Sequence, residues 1–160
     1  MKQKNFLHKV IATGFGSGYF PIAPGTAGAV LATAVWLGLS CVFTSFHLFI
    51  ATALLVVLFT FLGVWSSGIM EAEWGKDPSK VVIDEMVGVW IPLLIVNSDN
   101  THYIYYALAA LLLFRLFDIF KPFGIRKLEA IEGGWGIMLD DILAGLYSLF
   151  ILYGVECFIG

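Results

Sequence analysis

Apolar and polar positions divide this chain before any motif is considered. From Val10 to Met70 there is no Asp, Glu, Lys or Arg, a run of 61 residues with only His47 as a titratable break. A membrane helix needs about 20 apolar residues. Ala27–Phe46 and Leu48–Met70 both qualify, and Ser45, Phe46 and His47 leave room only for a tight turn, so they predict a helical hairpin. Met86–Val96 is apolar but short; it reaches a spanning length only if its helix begins near Val81 and includes Asp84 and Glu85. Tyr103–Phe120 predicts a fourth span, with Arg115 and Asp118 near its end. Ile142–Ile159 predicts a fifth, directly after Asp140 and Asp141.

Threading these spans alternately across a bilayer puts all nine Lys and Arg on one side: Lys2, Lys4, Lys9, Lys76, Lys80, Arg115, Lys121, Arg126 and Lys127. By the positive-inside rule that side is cytoplasmic, with the N-terminus there and the C-terminus outside. The same threading gathers ten of the 12 carboxylates at that face, which the rule does not require of acids.

Composition agrees with the pattern. Hydrophobic residues make up 59% of the 160 and charged residues 13%, against about 25% charged in soluble domains. Disorder, an ordinary soluble enzyme and a nucleic-acid binder are excluded, since 9 basic residues face 12 acidic ones. No cleavable signal peptide is evident, because the apolar run after the basic start is short and broken by Gly14, Gly16 and Gly18. Cys41 and Cys157 have neither metal-ligand spacing nor a CxxC pairing. The expected architecture is a single domain over residues 1–160. It is an all-α integral membrane bundle of about four to five embedded helices with an N-terminal interfacial segment.

Four constellations carry candidate chemistry. In D-E-M-V-G (84–88) two acids open an apolar helix, with Gly88 on the same face as Asp84. Acids in a first helical turn complement the helix dipole, but a charge at bilayer depth costs about 2.5–3.5 kcal/mol and tends to be functional. In R-L-F-D-I-F-K-P (115–122) Arg115, Asp118 and Lys121 share one broad helix face. They read either as an interior salt-bridge ladder or as a metal carboxylate flanked by phosphate-binding cations. In G-G-W-G-I-M-L-D-D-I-L-A-G (133–145) a glycine turn leads to two acids, and Asp141 and Gly145 repeat the D-x-x-x-G spacing of Asp84 and Gly88. Asp140 alternatively reads as a helix N-cap. In G-F-G-S-G-Y-F-P-I-A-P-G-T (14–26) glycine-rich backbone precedes a helix capped by Thr26. It reads as a phosphate-facing loop or as a flexible re-entrant one.

Together the acids are a typical Mg²⁺ environment of hard oxygen ligands. No H-C-x₅-R or DxDx(T/V) motif is present and the three histidines are scattered. That disfavours a covalent phosphoenzyme and leaves metal-assisted phosphate chemistry.

With D-E-M-V-G extended to V-V-I-D-E-M-V-G-V-W-I (81–91) and R-L-F-D-I-F-K-P to R-L-F-D-I-F-K-P-F (115–123), these four motifs in chain order resemble the phosphatidylglycerophosphatase A family, and the framework covers nearly the whole chain. The resemblance implies a multihelical fold and Mg²⁺-dependent hydrolysis of phosphatidylglycerophosphate to phosphatidylglycerol and phosphate at the bacterial inner membrane. With that substrate, Asp84, Glu85, Asp118, Asp140 and Asp141 are expected to share metal binding and activation of water. Arg115 and Lys121 are expected to hold phosphate, with backbone N–H groups near Ser17 and Thr26. One departure is Gly124, where the family pattern has a second proline after K-P-F; it bears on the shape of that turn. Two other readings compete. A CDP-alcohol phosphotransferase lacks its long D-G…A-R…G…D…D signature here. A small cation transporter would carry acids at the membrane midplane rather than crowded at one face.

Overall fold

The computed structural model describes residues 5–128 and 130–159; Lys2, Lys4 and Glu129 lie outside the described residues. Among the described residues all regular structure is helical. The order is α1 (Phe6–Ala12), a 3₁₀ turn (Ser17–Tyr19), α2 (Pro24–Ser40), α3 (Ser45–Trp74), α4 (Ile83–Leu93), α5 (Tyr103–Phe120), α6 (Ile125–Leu128) and α7 (Gly134–Ile159). Three helices, α3, α5 and α7, are long and apolar enough to cross a membrane, and α2 is a shorter apolar helix.

Several expected boundaries move. The first hairpin turns at 41–44 rather than at Ser45–His47, because α2 ends at Ser40 and α3 already begins at Ser45. There the Thr44 hydroxyl pairs with His47 Nδ1 at 2.8 Å across the first turn. At its start α2 has Pro24 in the first turn and Ala23 as its N-cap, so Thr26 is not the cap. Proline suits that position because its missing N–H would have no helical partner. At the other end of the chain α7 starts at Gly134, so Asp140 and Asp141 sit well inside the helix and Asp140 is not its N-cap.

The segment around Met86–Val96, expected to reach a spanning length only if extended at its start, is a short helix. Helix α4 has 11 residues, about 16 Å of helix against a hydrocarbon thickness of about 30 Å. All of its residues except Glu85 are buried, and α7, α2, α3 and α5 all pack on it. It is therefore the axis of the bundle. Its apolar side chains are enclosed by protein: Met86, Val89, Trp90 and Leu93 join Trp36, Leu48 and Phe114 in one cluster. On the other flank Ile83, Val87 and Ile91 join Met70, Ile137 and Met138. Trp90 donates its indole N–H to the Ala32 carbonyl at 2.9 Å, satisfying a polar group in the core. Non-helical chain then runs on to the level of Ser45, where α5 follows, and such backbone is tolerated at membrane depth only where protein covers it. The Ser45 hydroxyl secures that segment, with Asn97 Oδ1 at 2.6 Å and Ser98 Oγ at 2.9 Å.

Helices α4 and α7 approach each other through glycine. A Cβ on Gly145 would overlap the Gly88 carbonyl, and one on Gly88 would overlap the Phe114 ring and come within 3.0 Å of the Asp141 carbonyl. Pro92 lies inside α4; lacking an N–H, it leaves the Gly88 carbonyl without its usual i+4 donor. The two D-x-x-x-G segments are thus the two sides of one helix crossing. That crossing sets Asp84 and Asp141 side by side, one turn from the contact.

Helix α3 serves as a ruler for depth. Gly63 faces Met138 and Ile83, at the start of α4, and Ser45 to Gly63 is about 27 Å of helix, close to one hydrocarbon thickness. Over that length Phe46, Ile50, Leu54, Val57, Leu58 and Phe61 form an exposed apolar stripe. Beyond Gly63 the helix is braced by α1: Lys9 bonds Glu73 at 2.5 Å and stacks on Trp74, and His8 meets Trp65 edge-on. The acids at the start of α4 therefore lie about one hydrocarbon thickness from Ser45, level with the end of this apolar stripe.

The crossing yields a stability prediction within one helix. Gly145→Ala is expected to lower the thermal midpoint in detergent by an amount equivalent to about 1–3 kcal/mol, the usual cost of overpacking. Gly154→Ala, also in α7 but with nothing within 4 Å of a new Cβ, is expected to leave the midpoint unchanged or raise it. Equal midpoints for the two variants would show that the crossing does not depend on glycine.

Candidate active site

Three helix ends and an inner turn of α7 converge on one cavity of about 280 Å³. The start of α2 contributes Ala23, Pro24 and Gly25, and the loop before α4 contributes Asp77, Pro78, Ser79 and Val81. Helix α4 contributes Asp84 and Glu85, α5 contributes Arg115, Asp118 and its C-cap Lys121, and α7 contributes Asp140 and Asp141. Nearly all of the wall is polar or small, at the level where the apolar stripe of α3 ends.

The acids are buried and close. Asp84 is 8% exposed, Asp140 6% and Asp141 3%. One carboxylate oxygen from each of Asp84, Glu85 and Asp141 can be chosen so that all three lie within 4.8 Å of one another. Asp84 Oδ1 and Glu85 Oε2 are buried with no hydrogen-bond partner among the described residues. Buried unpaired acceptors are costly, because the group has lost its water without a replacement donor. Six carboxylates line the cavity against two cations, Arg115 and Lys121.

Each cation is committed to acids. Arg115 Nη1 contacts Asp118 Oδ2 at 2.5 Å and faces Glu85 Oε1 at 3.8 Å, while its Nε has no partner among the described residues. The Lys121 ammonium bonds Asp140 Oδ2 at 2.7 Å, and the other oxygen of Asp140 accepts the Asp141 backbone N–H at 3.0 Å. The i, i+3, i+6 face expected from R-x-x-D-x-x-K therefore exists. Its last member reaches the site from a left-handed C-cap, with φ of 45° at Lys121. Gly25 closes the other wall: a Cβ there would overlap Glu85 Oε1 and sit 3.3 Å from Arg115 Nη1.

The structure thus brings together Asp84, Glu85, Arg115, Asp118, Lys121, Asp140 and Asp141. It does not bring Ser17 or Thr26 to the cavity wall. The Ser17 hydroxyl donates to the Gly14 carbonyl at 3.0 Å. The glycine-rich loop serves packing instead: a Cβ on Gly18 would overlap the Lys80 carbonyl, and one on Gly14 would crowd Met86 and Val82. Sequence reasoning missed Gly25, Asp77 and Ser79. The signal for Gly25 was Pro24-Gly25 at a helix start, where only a residue without a Cβ lets α2 approach an acid on another helix.

A donor set of this kind fits a divalent cation. Hard carboxylate oxygens, two of them unpaired and buried, match what Mg²⁺-type ions take as ligands. Without such an ion, a phosphate dianion entering the cavity would meet a net excess of negative charge.

Comparison with known proteins agrees with this chemistry. The sequence profile described as Phosphatidylglycerophosphatase A matches residues 10–156. A protein from Escherichia coli K12 named phosphatidylglycerophosphatase A is 36% identical over 96% of this chain and 85% of its own length. One of the same name from Haemophilus influenzae is 38% identical over 92% of this chain and 87% of its own. A protein from Bacteroides thetaiotaomicron, provisionally named a phosphatidylinositol-3-phosphatase, is 56% identical over 97% of this chain and 96% of its own. No solved structure matches the chain. With a profile match over most of its length and relatives of this identity, the chain belongs to the phosphatidylglycerophosphatase A family and is a phosphoric monoester hydrolase.

Proposed function

We propose that the protein is a Mg²⁺-dependent phosphatase that hydrolyses phosphatidylglycerophosphate to phosphatidylglycerol and phosphate at the cytoplasmic face of the bacterial inner membrane. The observation that carries this reading is the excess of buried carboxylate over cation in a cavity level with the end of the apolar stripe of α3. Asp84, Glu85 and Asp141 would hold the ion, with Asp118 and Asp140 beside them. When bound, the ion would offset phosphate charge and polarise the P–O bond.

The rest of the chemistry falls to side chains. Arg115 presents a guanidinium that Asp118 and Glu85 hold in place, and its fork suits two phosphate oxygens. Lys121, held by Asp140, supplies a second positive group. One of the carboxylates takes a proton from water as its oxygen bonds phosphorus. The P–O bond to the lipid alcohol breaks, and the alcohol oxygen regains a proton. The cavity lining holds no His or Cys, which favours attack by water over a histidine or cysteine phosphoenzyme.

A second reading rests on the Bacteroides relative, whose name refers to a phosphoinositide. Both substrates are phosphomonoesters on a lipid head group, and they differ in the polyol.

Phosphate release from a panel containing phosphatidylglycerophosphate, phosphatidylinositol 3-phosphate and phosphatidate separates these readings. Phosphatidylglycerophosphate should be turned over fastest, EDTA should abolish release and Mg²⁺ should restore it. Asp84→Asn with Asp141→Asn should lower kcat by about 10²-fold or more. Normal turnover in EDTA or in that double variant would overturn the metal assignment.

Orientation has its own test. Cys41 is exposed just after α2, at the end opposite the acids. In a Cys157→Ser background, a membrane-impermeant maleimide should label Cys41 in intact spheroplasts. Labelling only in inverted vesicles would reverse the topology.

A further inference from the structure

The cavity is flanked by two exposed apolar segments, one just before α2 and one at the end of α5. On the α2 side Phe20 is 57% exposed and Ile22 76%, immediately before the cavity residues Ala23–Gly25. On the α5 side Phe120 is 67% exposed and Phe123 84%, on either side of the cavity residue Lys121. Large apolar groups this exposed would be costly beside water, and aromatic side chains are favoured at the membrane interface.

Backbone conformation marks the same places. Among the described residues the non-glycine positions with positive φ are Phe15, Ala23, Asp77, Lys121 and Phe123. Ala23, Asp77 and Lys121 line the cavity and Phe123 lies two residues beyond Lys121; Phe15 stands apart from it. Left-handed backbone at non-glycine residues costs energy and persists where the surroundings enforce it, commonly at ligand clamps. Here Tyr147 helps to enforce it, donating its hydroxyl to the Phe123 carbonyl at 3.1 Å and meeting the Phe123 ring edge-on.

The exposed residues also continue a lipid-facing surface. On α5, Leu108, Leu112, Leu116 and Ile119 form an exposed stripe at helical spacing that leads directly to Phe120. A lipid chain lying along that stripe would have its head group at the level of Arg115 and Lys121.

We propose that Phe20–Ile22 and Phe120–Phe123 are the two jaws of a lateral portal, seated in the lipid interface. Through it the substrate's phosphate head group passes between the start of α2 and the end of α5 while its acyl chains stay in the leaflet. This deepens the phosphatase reading and rests on it: the occupant is a phospholipid carrying a terminal phosphomonoester. Gly25, with no Cβ, brings the α2 side of the passage close to Glu85, and left-handed Phe123 exposes its ring two residues from Lys121, which lines the cavity.

Two measurements test the portal. In a protein with Cys41→Ser and Cys157→Ser, nitroxide labels are placed at Ile22→Cys, Phe123→Cys and, as a solvent control, Lys76→Cys. In phosphatidylethanolamine–phosphatidylglycerol vesicles the first two should be relaxed more by oxygen than by a water-soluble nickel chelate, and the third the reverse. Nickel-dominated relaxation at Ile22→Cys and Phe123→Cys, or exclusion of both agents there as by a covering protein, would overturn the proposal. Separately, Ile22→Ser with Phe123→Ser should raise KM for long-chain phosphatidylglycerophosphate in vesicles about tenfold, yet change kcat/KM for a soluble dihexanoyl analogue by less than about twofold. Phe123→Trp in the otherwise native chain should retain a near-native KM. Equal losses on both substrates, or no loss on either, would contradict the portal. Failure of the unaltered protein to hydrolyse either substrate would instead overturn the phosphatase reading, while the spin-label result would still decide where the jaws lie.

Discussion

Six carboxylates share one cavity with two cations, level with the end of the apolar stripe of α3, and much of the fold is organised around holding them there. Like charges repel strongly where water is scarce, and two of the carboxylate oxygens have no donor at all. Such a cluster persists only on a framework whose other contacts favour the same geometry. That framework is the crossing of α4 and α7, where Gly88 and Gly145 bring two backbones together and set Asp84 beside Asp141. The energy that holds the acids in place comes from apolar packing below them, from Trp90, Trp36, Phe114 and their neighbours. The part of the structure that does chemistry and the part that supplies stability are thus separated along the membrane normal.

The brevity of α4 follows from the same constraint. A helix that opened with two acids and faced lipid would be costly, and α4 presents no such face, since all its residues but Glu85 are buried. Surrounded by four helices, it can carry Asp84 and Glu85 to hydrocarbon depth while its own backbone and side chains meet only protein. Arg115 and Lys121 arrive from α5, and their approaches to Glu85 on α4 and Asp140 on α7 tie that helix end to the wall of the cavity, while Asp118 pairs with Arg115 within α5. These pairs offset part of the negative charge and leave a remainder that a divalent ion could take up.

Much of this was legible in the sequence because charge is so scarce. With 13% charged residues, those that occur beside apolar runs stand out, and all the acids and cations singled out on that basis line one cavity. The repeated D-x-x-x-G spacing was visible too, but spacing alone could not say that the two glycines meet. Helix ends were less legible. An uncharged stretch gives hydropathy no edge to detect, so the turn at 41–44 and the start of α7 at Gly134 depend on local backbone geometry. Length marked α4 as short, but hydropathy could not say that protein surrounds it, since it does not distinguish lipid from a protein interior. Ser17 and Thr26 were chosen for phosphate because glycine-rich loops and helix starts often bind anions. Here the glycines serve close packing against Lys80 and Val82, and the approach to the acids is made by Gly25.

If the acid cluster is held together against its own repulsion and completed by a cation, stability should report it directly. Thermal unfolding of the purified protein in detergent, with and without millimolar Mg²⁺, is the most direct measurement. Mg²⁺ should raise the midpoint of the unaltered protein, as a ligand that binds only the folded state must. Asp84→Asn with Asp141→Asn should raise the midpoint in the absence of Mg²⁺ and remove the response to it. A double variant that melts lower than the unaltered protein, yet still gains stability from Mg²⁺, would contradict the account.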